Sequence, residues 1–105
     1  MNLRLEIDGV IFDTTTATKL HEINVGKPGD EDYEHTALYR GSKEIYFLVG
    51  EGGKLSRWSC SGKGGELRGD AGISVLASDE ACDWADWHGM DTAEIENEFG
   101  FATVR

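Results

Sequence analysis

Between Asp70 and Val104 the chain has no lysine and no arginine, although it places nine Asp and Glu residues there. The first 69 residues are nearly balanced, with eleven acids and nine bases, so the last third holds almost all of the formal net charge of −10. That absence argues against nucleic acid as a direct ligand, because phosphate binding needs Lys and Arg. A basic partner fits instead. Cysteine is scarce as well. Cys60 and Cys82 are the only two, and they read as buried thiols of a cytoplasmic protein rather than as a disulfide. No apolar run approaches the roughly 20 residues a membrane span needs. The N-terminus alternates charged and apolar residues from the start, unlike a signal peptide. At 105 residues and 39% hydrophobic content, the expectation is one domain, 1–105, around one modest core.

What is there organises around Thr36 to Gly53. Ile45 to Val49 is five apolar residues in a row, bounded by Gly41-Ser-Lys and by Gly50-Glu-Gly-Gly53. A run this short and this punctuated reads as a strand buried on both faces. Thr36 to Arg40 pairs with it antiparallel across a tight loop at 41–44. At the N-terminus, Asp8-Gly9 is a two-residue hairpin turn. In that register Ile7 faces Val10, Leu5 faces Phe12 and Arg4 faces Asp13. Asp13 or the threonines after it cap a short helix through Ala17 and Leu20. Asn24 to Glu34 reads as an exposed loop, Leu55 to Cys60 as a third neighbouring strand, and Ile73 to Leu76 as a short strand. Turns are expected at 61–65 and 69–72.

Two helices follow. Ser78 is an N-cap candidate, with Asp79 and Glu80 in a first turn that favours acids, and Gly89 ends the helix after His88. Asp91-Thr-Ala-Glu94 has the form of a capping box, with Met90 and Ile95 as its hydrophobic staple, and Gly100 closes that helix. The fold class is α+β: an antiparallel sheet of four to six strands with the C-terminal helices packed on one face.

Motifs with chemistry are few. Gly50 to Gly53 and Gly62 to Gly65 lack the spacing of a phosphate loop, since Gly53-Lys54 is followed by Leu55 where Ser or Thr belongs. They read as turn glycines. His21, His35 and His88 share no ligand spacing with each other or with the cysteines. No Ser, Cys or Thr stands in a nucleophile motif. The reading assigns no catalytic residue, no metal and no cofactor.

The acidic helices carry geometry that can be worked out. At 100° per residue, Asp79, Asp83 and Asp86 fall within a stripe about 60° wide. Ala81, Trp84, Ala85 and His88 lie opposite, and Trp87 flanks the boundary, which predicts a buried Trp84 and a partly covered Trp87. In the second helix Glu94 and Glu98 are i, i+4 neighbours facing water, with Ile95 and Phe99 turned inward. Like charges at this spacing cost about 0.2–0.5 kcal/mol each. A solvated surface alone does not call for that, because mixed charges serve solubility better. The candidate partner-binding residues are Asp79, Glu80, Asp83, Asp86, Asp91, Glu94, Glu96 and Glu98. Glu80 and Glu96, with Asp30, Glu31 and Asp32 in the loop, are secondary candidates.

Phe12-Asp-Thr-Thr-Thr-Ala-Thr18, Thr36-Ala-Leu-Tyr-Arg40 and Tyr46-Phe-Leu-Val-Gly-Glu-Gly-Gly53 together resemble a family of small acidic proteins carried on phages, plasmids and integrative elements of bacteria. The likeness covers most of the chain; the Gly-rich stretch from Ser61 to Gly72 stands out as an insertion. It supplies no catalytic residues. It implies a mobile-element origin, and such proteins resemble anti-CRISPR and anti-restriction inhibitors that occupy the basic groove of a host nuclease complex. The expected function is therefore an anti-CRISPR inhibitor with a DNA-mimicking acidic face, its partner a Cas subunit or another DNA-binding defence protein. An immunity protein or antitoxin that neutralises a basic toxin is the alternative. A small hydrolase with His35 or His88 near Glu51 is a third reading.

Overall fold

A computed structural model describes residues 4–7, 9–41 and 45–100. Asp8 of the first turn and residues 42–44 of the central hairpin loop lie outside them. The elements are β1 (Arg4–Ile7), β2 (Val10–Asp13), β3 (Thr18–Val25), β4 (Glu34–Arg40), β5 (Tyr46–Gly52), β6 (Cys60–Ser61), β7 (Leu67–Arg68), β8 (Asp70–Leu76), α1 (Ser78–Trp87) and α2 (Thr92–Phe99). The main sheet has four antiparallel strands in the order β3-β4-β5-β8, with β1-β2 and β6-β7 as separate hairpins. The chain folds as one α+β domain.

Strand alternation sorts the sheet into two faces, and the pairing of Leu38 with Leu48 and Tyr39 with Phe47 puts like residues side by side. Leu38, Tyr46 and Leu48 face the helices, against Ala81, Trp84, Ala85, Met90, Ile95 and Phe99. Ala37, Tyr39, Phe47 and Val49 face the other way, under Phe12 of the N-terminal hairpin. Phe47 is the centre of that side, stacked on Tyr39 at 5.4 Å and edge-on to Phe12 at 5.2 Å. The N-terminal hairpin adopts the expected register, Arg4 opposite Asp13 and Leu5 opposite Phe12.

Three expectations are corrected. The segment after Asp13 is a turn rather than a helix: Asp13 Oδ1 accepts from the Thr15 amide at 2.9 Å and its hydroxyl at 2.6 Å, and Ala17 leads straight into β3. The β-branched threonines favour extended backbone, and β3 completes the sheet edge beside β4. Residues 55–60 do not form a third neighbouring strand, because β8 takes that place beside β5. Residues 55–59 cross the helix-side face of the sheet as a loop, where Trp58 Nε1 donates to Thr36 Oγ1 at 2.7 Å, and Cys60 pairs instead in the small β6–β7 hairpin. Finally, Gly50, Gly52 and Gly72 are strand residues rather than turn residues. A Cβ at Gly50 would collide with the Trp58 indole and one at Gly52 with Ser56, so these glycines let the crossing loop lie on the sheet.

Neither cysteine is in a disulfide; Cys82 is buried and Cys60 half-buried. Among the described residues no helix is long and apolar enough to cross a membrane.

Candidate functional site

Helix α1 is anchored by its small and aromatic residues. Ala81, Cys82, Trp84 and Ala85 are buried, and the Trp84 ring sits 4.5 Å from His88 and 6.1 Å from His21. His21 Nε2 donates to the His88 carbonyl at 2.9 Å, tying the helix end to β3. Burial holds the His88 imidazole below its ordinary pKa, a fall that the charge of Glu34 partly opposes and those of Arg57 and His21 reinforce. The N-cap is Ala77, one residue before Ser78. It has no side-chain oxygen to give, so Glu80 Oε1 alone closes the turn by accepting from the Ala77 amide at 2.9 Å. Gly89 at φ 82° then turns the chain into α2. Asp91 caps that helix by accepting from the Ala93 amide at 2.8 Å.

With those residues turned inward, the solvent side of α1 is left to Asp79, Glu80, Asp83, Asp86 and Trp87, all exposed. Asp91, Glu94 and Glu96 are exposed beside them on the next segment. None of these seven carboxylates forms an ion pair among the described residues. Glu80 and Asp91 serve as caps, and Asp79 Oδ1 accepts from the Glu80 amide at 3.0 Å. Asp83, Asp86, Glu94 and Glu96 have no structural partner at all among the described residues, which makes them the cleanest candidates for an outward role. Glu94 also borders a small hollow lined by Lys19, Leu20, Met90, Asn97 and Glu98.

Glu98 is a correction. Its side chain is only 9% exposed and turns toward the sheet, where it accepts from Arg40 Nη1 at 2.5 Å and from the Tyr46 hydroxyl at 2.9 Å. It holds α2 to β4 and β5 instead of facing a partner. Periodicity placed it beside Glu94, but only the pairing of β4 with β5 brings Arg40 and Tyr46 under it. Trp87 also departs from expectation: it is 84% exposed rather than partly covered.

The loop acids stand apart. Asp30, Glu31 and Asp32 lie in the connection that meets the sheet where Val25, Glu34, Gly52 and Asp70 align. The helices instead pack around Leu38, Tyr46 and Leu48. Two of the three have local duties. Asp30 Oδ2 accepts from the Lys27 amide at 3.1 Å, and Glu31 pairs with Lys54 at 3.0 Å.

The hydrolase reading needed a histidine near Glu51. His35 does stand directly across from Glu51 in the β4–β5 ladder. Its Nε2, however, donates to Glu22 at 2.8 Å, and the Glu51 carboxylate accepts from Tyr33 at 2.8 Å. Glu22 also takes Lys19 at 2.8 Å, and these two hydrogen bonds, that of His35 first, pull its pKa to about 2. Each carboxylate is thus already engaged, Glu51 by Tyr33 and Glu22 by His35 and Lys19. Among the described residues no group of His, Cys, Asp and Glu is placed to hold a metal ion.

No family model, curated protein or solved structure matches the chain. The residues alone carry the functional argument.

Proposed function

We propose that this protein is an anti-CRISPR inhibitor that presents carboxylates where the basic groove of a surveillance complex, of type I, receives DNA phosphates. It acts in the cytoplasm, where that complex works, and the mechanism has no catalytic step. The observation that carries the reading is the outward sector of α1, whose four carboxylates share one face and, among the described residues, form no ion pair. Duplex DNA carries one negative charge per about 1.7 Å of axis, and a groove built for it is lined with Lys and Arg. Asp79, Glu80, Asp83 and Asp86 reproduce part of that density over a helix whose residues rise about 1.5 Å each. Asp91, Glu94 and Glu96 extend it.

Binding of this kind is weakened by salt and competes with duplex DNA. Single rim carboxylates contribute little, about 0–1 kcal/mol, whereas several reversals turn attraction into repulsion across one surface. The experiment compares the parent with Asp79→Lys/Asp83→Lys/Asp86→Lys and with Glu94→Lys/Glu96→Lys, each shown to be folded by circular dichroism. Phage or plasmid survival is scored in a host with an active type I system. The expected result is protection by the parent and its loss in the triple variant. Equal protection by all three proteins would remove the DNA-mimic mechanism, and no protection by the parent in any system would favour an immunity protein acting on one basic toxin.

A further inference from the structure

The outward sector of α1 contains one residue that charge mimicry does not account for. Taking 100° per residue, Asp86, Asp79, Asp83, Trp87 and Glu80 follow one another around about 120° of the helix. Trp87 sits between Asp83, one turn back, and Glu80, two turns back. The other two tryptophans are engaged: Trp84 is 8% exposed in the core, and Trp58 is fixed through its Nε1 to Thr36. Trp87 is 84% exposed and, among the described residues, makes no ring contact and no hydrogen bond. An indole displayed this way adds nothing to the core, and large aromatic residues of this kind are the usual anchors of protein interfaces.

Resting on the acidic-face reading above, we propose that Trp87 is the anchor of this face and that its partner supplies an arginine, stacked on the indole and held at its edge by Asp83, one turn back. Three considerations select that occupant. A neutral apolar surface would strip water from four carboxylates and return nothing to them. A second copy of a chain with net charge −10 would meet its own repulsion. A guanidinium, by contrast, is planar and weakly hydrated, lies flat on an aromatic ring, and offers a fork of donors to flanking carboxylates. Lysine satisfies the charge but stacks less well, because its ammonium is compact and strongly hydrated. The chain holds an example of the same contact within itself: the Arg57 guanidinium carbon lies 5.4 Å from the Trp58 ring centre.

The test separates anchor from charge. The full chain, labelled with ¹⁵N, gives three indole N–H signals, and Trp87→Phe assigns the one of interest. Nona-arginine and nona-lysine serve as probes, each titrated at low and at near-physiological salt. The expected result is that nona-arginine moves the Trp87 signal while those of Trp58 and Trp84 stay. It should also bind about two- to fivefold tighter than nona-lysine, the ratio an exposed cation–π contact is worth. Trp87→Ala, which removes an exposed side chain and leaves the core intact, should make the two peptides bind equally. Equal affinities in the parent, or a preference for arginine that survives in Trp87→Ala, would overturn the anchor and leave the acidic face standing. Peptide binding that is unchanged in Asp79→Lys/Asp83→Lys/Asp86→Lys would overturn both.

Discussion

Glu98 accepts from Arg40 and Tyr46 with its side chain almost covered, so reversing its charge acts on the fold before it can act on any partner. Glu98→Lys would set two cations together and leave the Tyr46 hydroxyl without its acceptor. A fully buried pair broken this way costs about 3–5 kcal/mol. Here the Arg40 side chain remains 38% exposed and screened, so the expected loss is roughly 1–3 kcal/mol. Asp83→Lys breaks no contact and relieves the repulsion from Asp79 and Asp86, so it should leave the protein as stable as the parent or up to about 1 kcal/mol more so. Urea midpoints of the two variants measure the contrast, and equal midpoints would mean that Glu98 does not tie α2 to the sheet. Phe47, wholly buried between Tyr39 and Phe12, is the opposite kind of residue. Phe47→Ala should cost about 3–5 kcal/mol. Gly50→Ala would push on the Trp58 indole, with a loss of about 1–3 kcal/mol and a change in tryptophan emission as that ring is displaced.

At the scale of the element, α1 carries its acids in positions of unequal worth. Asp79 lies in the first turn, where the exposed amides of the helix end favour negative charge, while Asp86 lies in the last turn, where they do not. Both also repel Asp83, at i, i+4 and i, i+3. Asp86→Lys removes two unfavourable terms and should raise stability by about 0.5–1 kcal/mol. Asp79→Lys loses a favourable first-turn charge and should show no such gain. Thermal midpoints of the two single variants decide the point, and a larger gain from Asp79→Lys would contradict the helix-end argument. A stabilising Asp86→Lys that weakens partner binding would support the view that the helix keeps an unfavourable charge for use rather than for folding.

For the whole molecule, salt should push stability and binding in opposite directions. A net charge of −10 on 105 residues strains the folded chain through self-repulsion, which added salt screens. The melting midpoint should therefore rise with salt while attraction to a basic partner falls; a midpoint that falls with salt would count against this. Acid works through particular groups. Glu22, held at about 2 by His35 and Lys19, favours the folded state above the ordinary carboxylate range. Its contribution is lost as pH falls from about 4.5 toward 2. Asp13 and Asp70 shift the same way, through hydrogen bonds from Thr15 and from the Ala71 amide. His88 adds an earlier loss. Its lowered pKa means that the unfolded chain takes up a proton more readily, so stability falls as pH drops below about 6.5 toward the folded value. Glu22→Gln should flatten the dependence between pH 4.5 and 2, and His88→Gln the part just below 6.5, both read from denaturation midpoints across pH.

Local chemistry was enough to determine several parts of this protein. The Asp8-Gly9 pair, read as a turn signal with alternation on either side, foretold the β1–β2 register, down to Arg4 across from Asp13. The apolar run 45–49 marked the doubly buried strand, and the spacing of Ala81, Trp84 and Ala85 oriented α1 and turned Asp79, Asp83 and Asp86 to water. These features depend on neighbours within about one turn or one hairpin, and such neighbours are visible in the sequence. Contacts between distant segments decided the rest. The threonine-rich stretch became a turn and an edge strand because β4 was there to pair with. Gly50 and Gly72 were shaped by Trp58 crossing above them. Glu98 was claimed by Arg40 and Tyr46, 58 and 52 residues away, and Trp87 was left bare because the packing of α1 on the sheet stops short of it. A helical period gives the direction of a side chain. Only the assembled sheet decides what stands there to meet it.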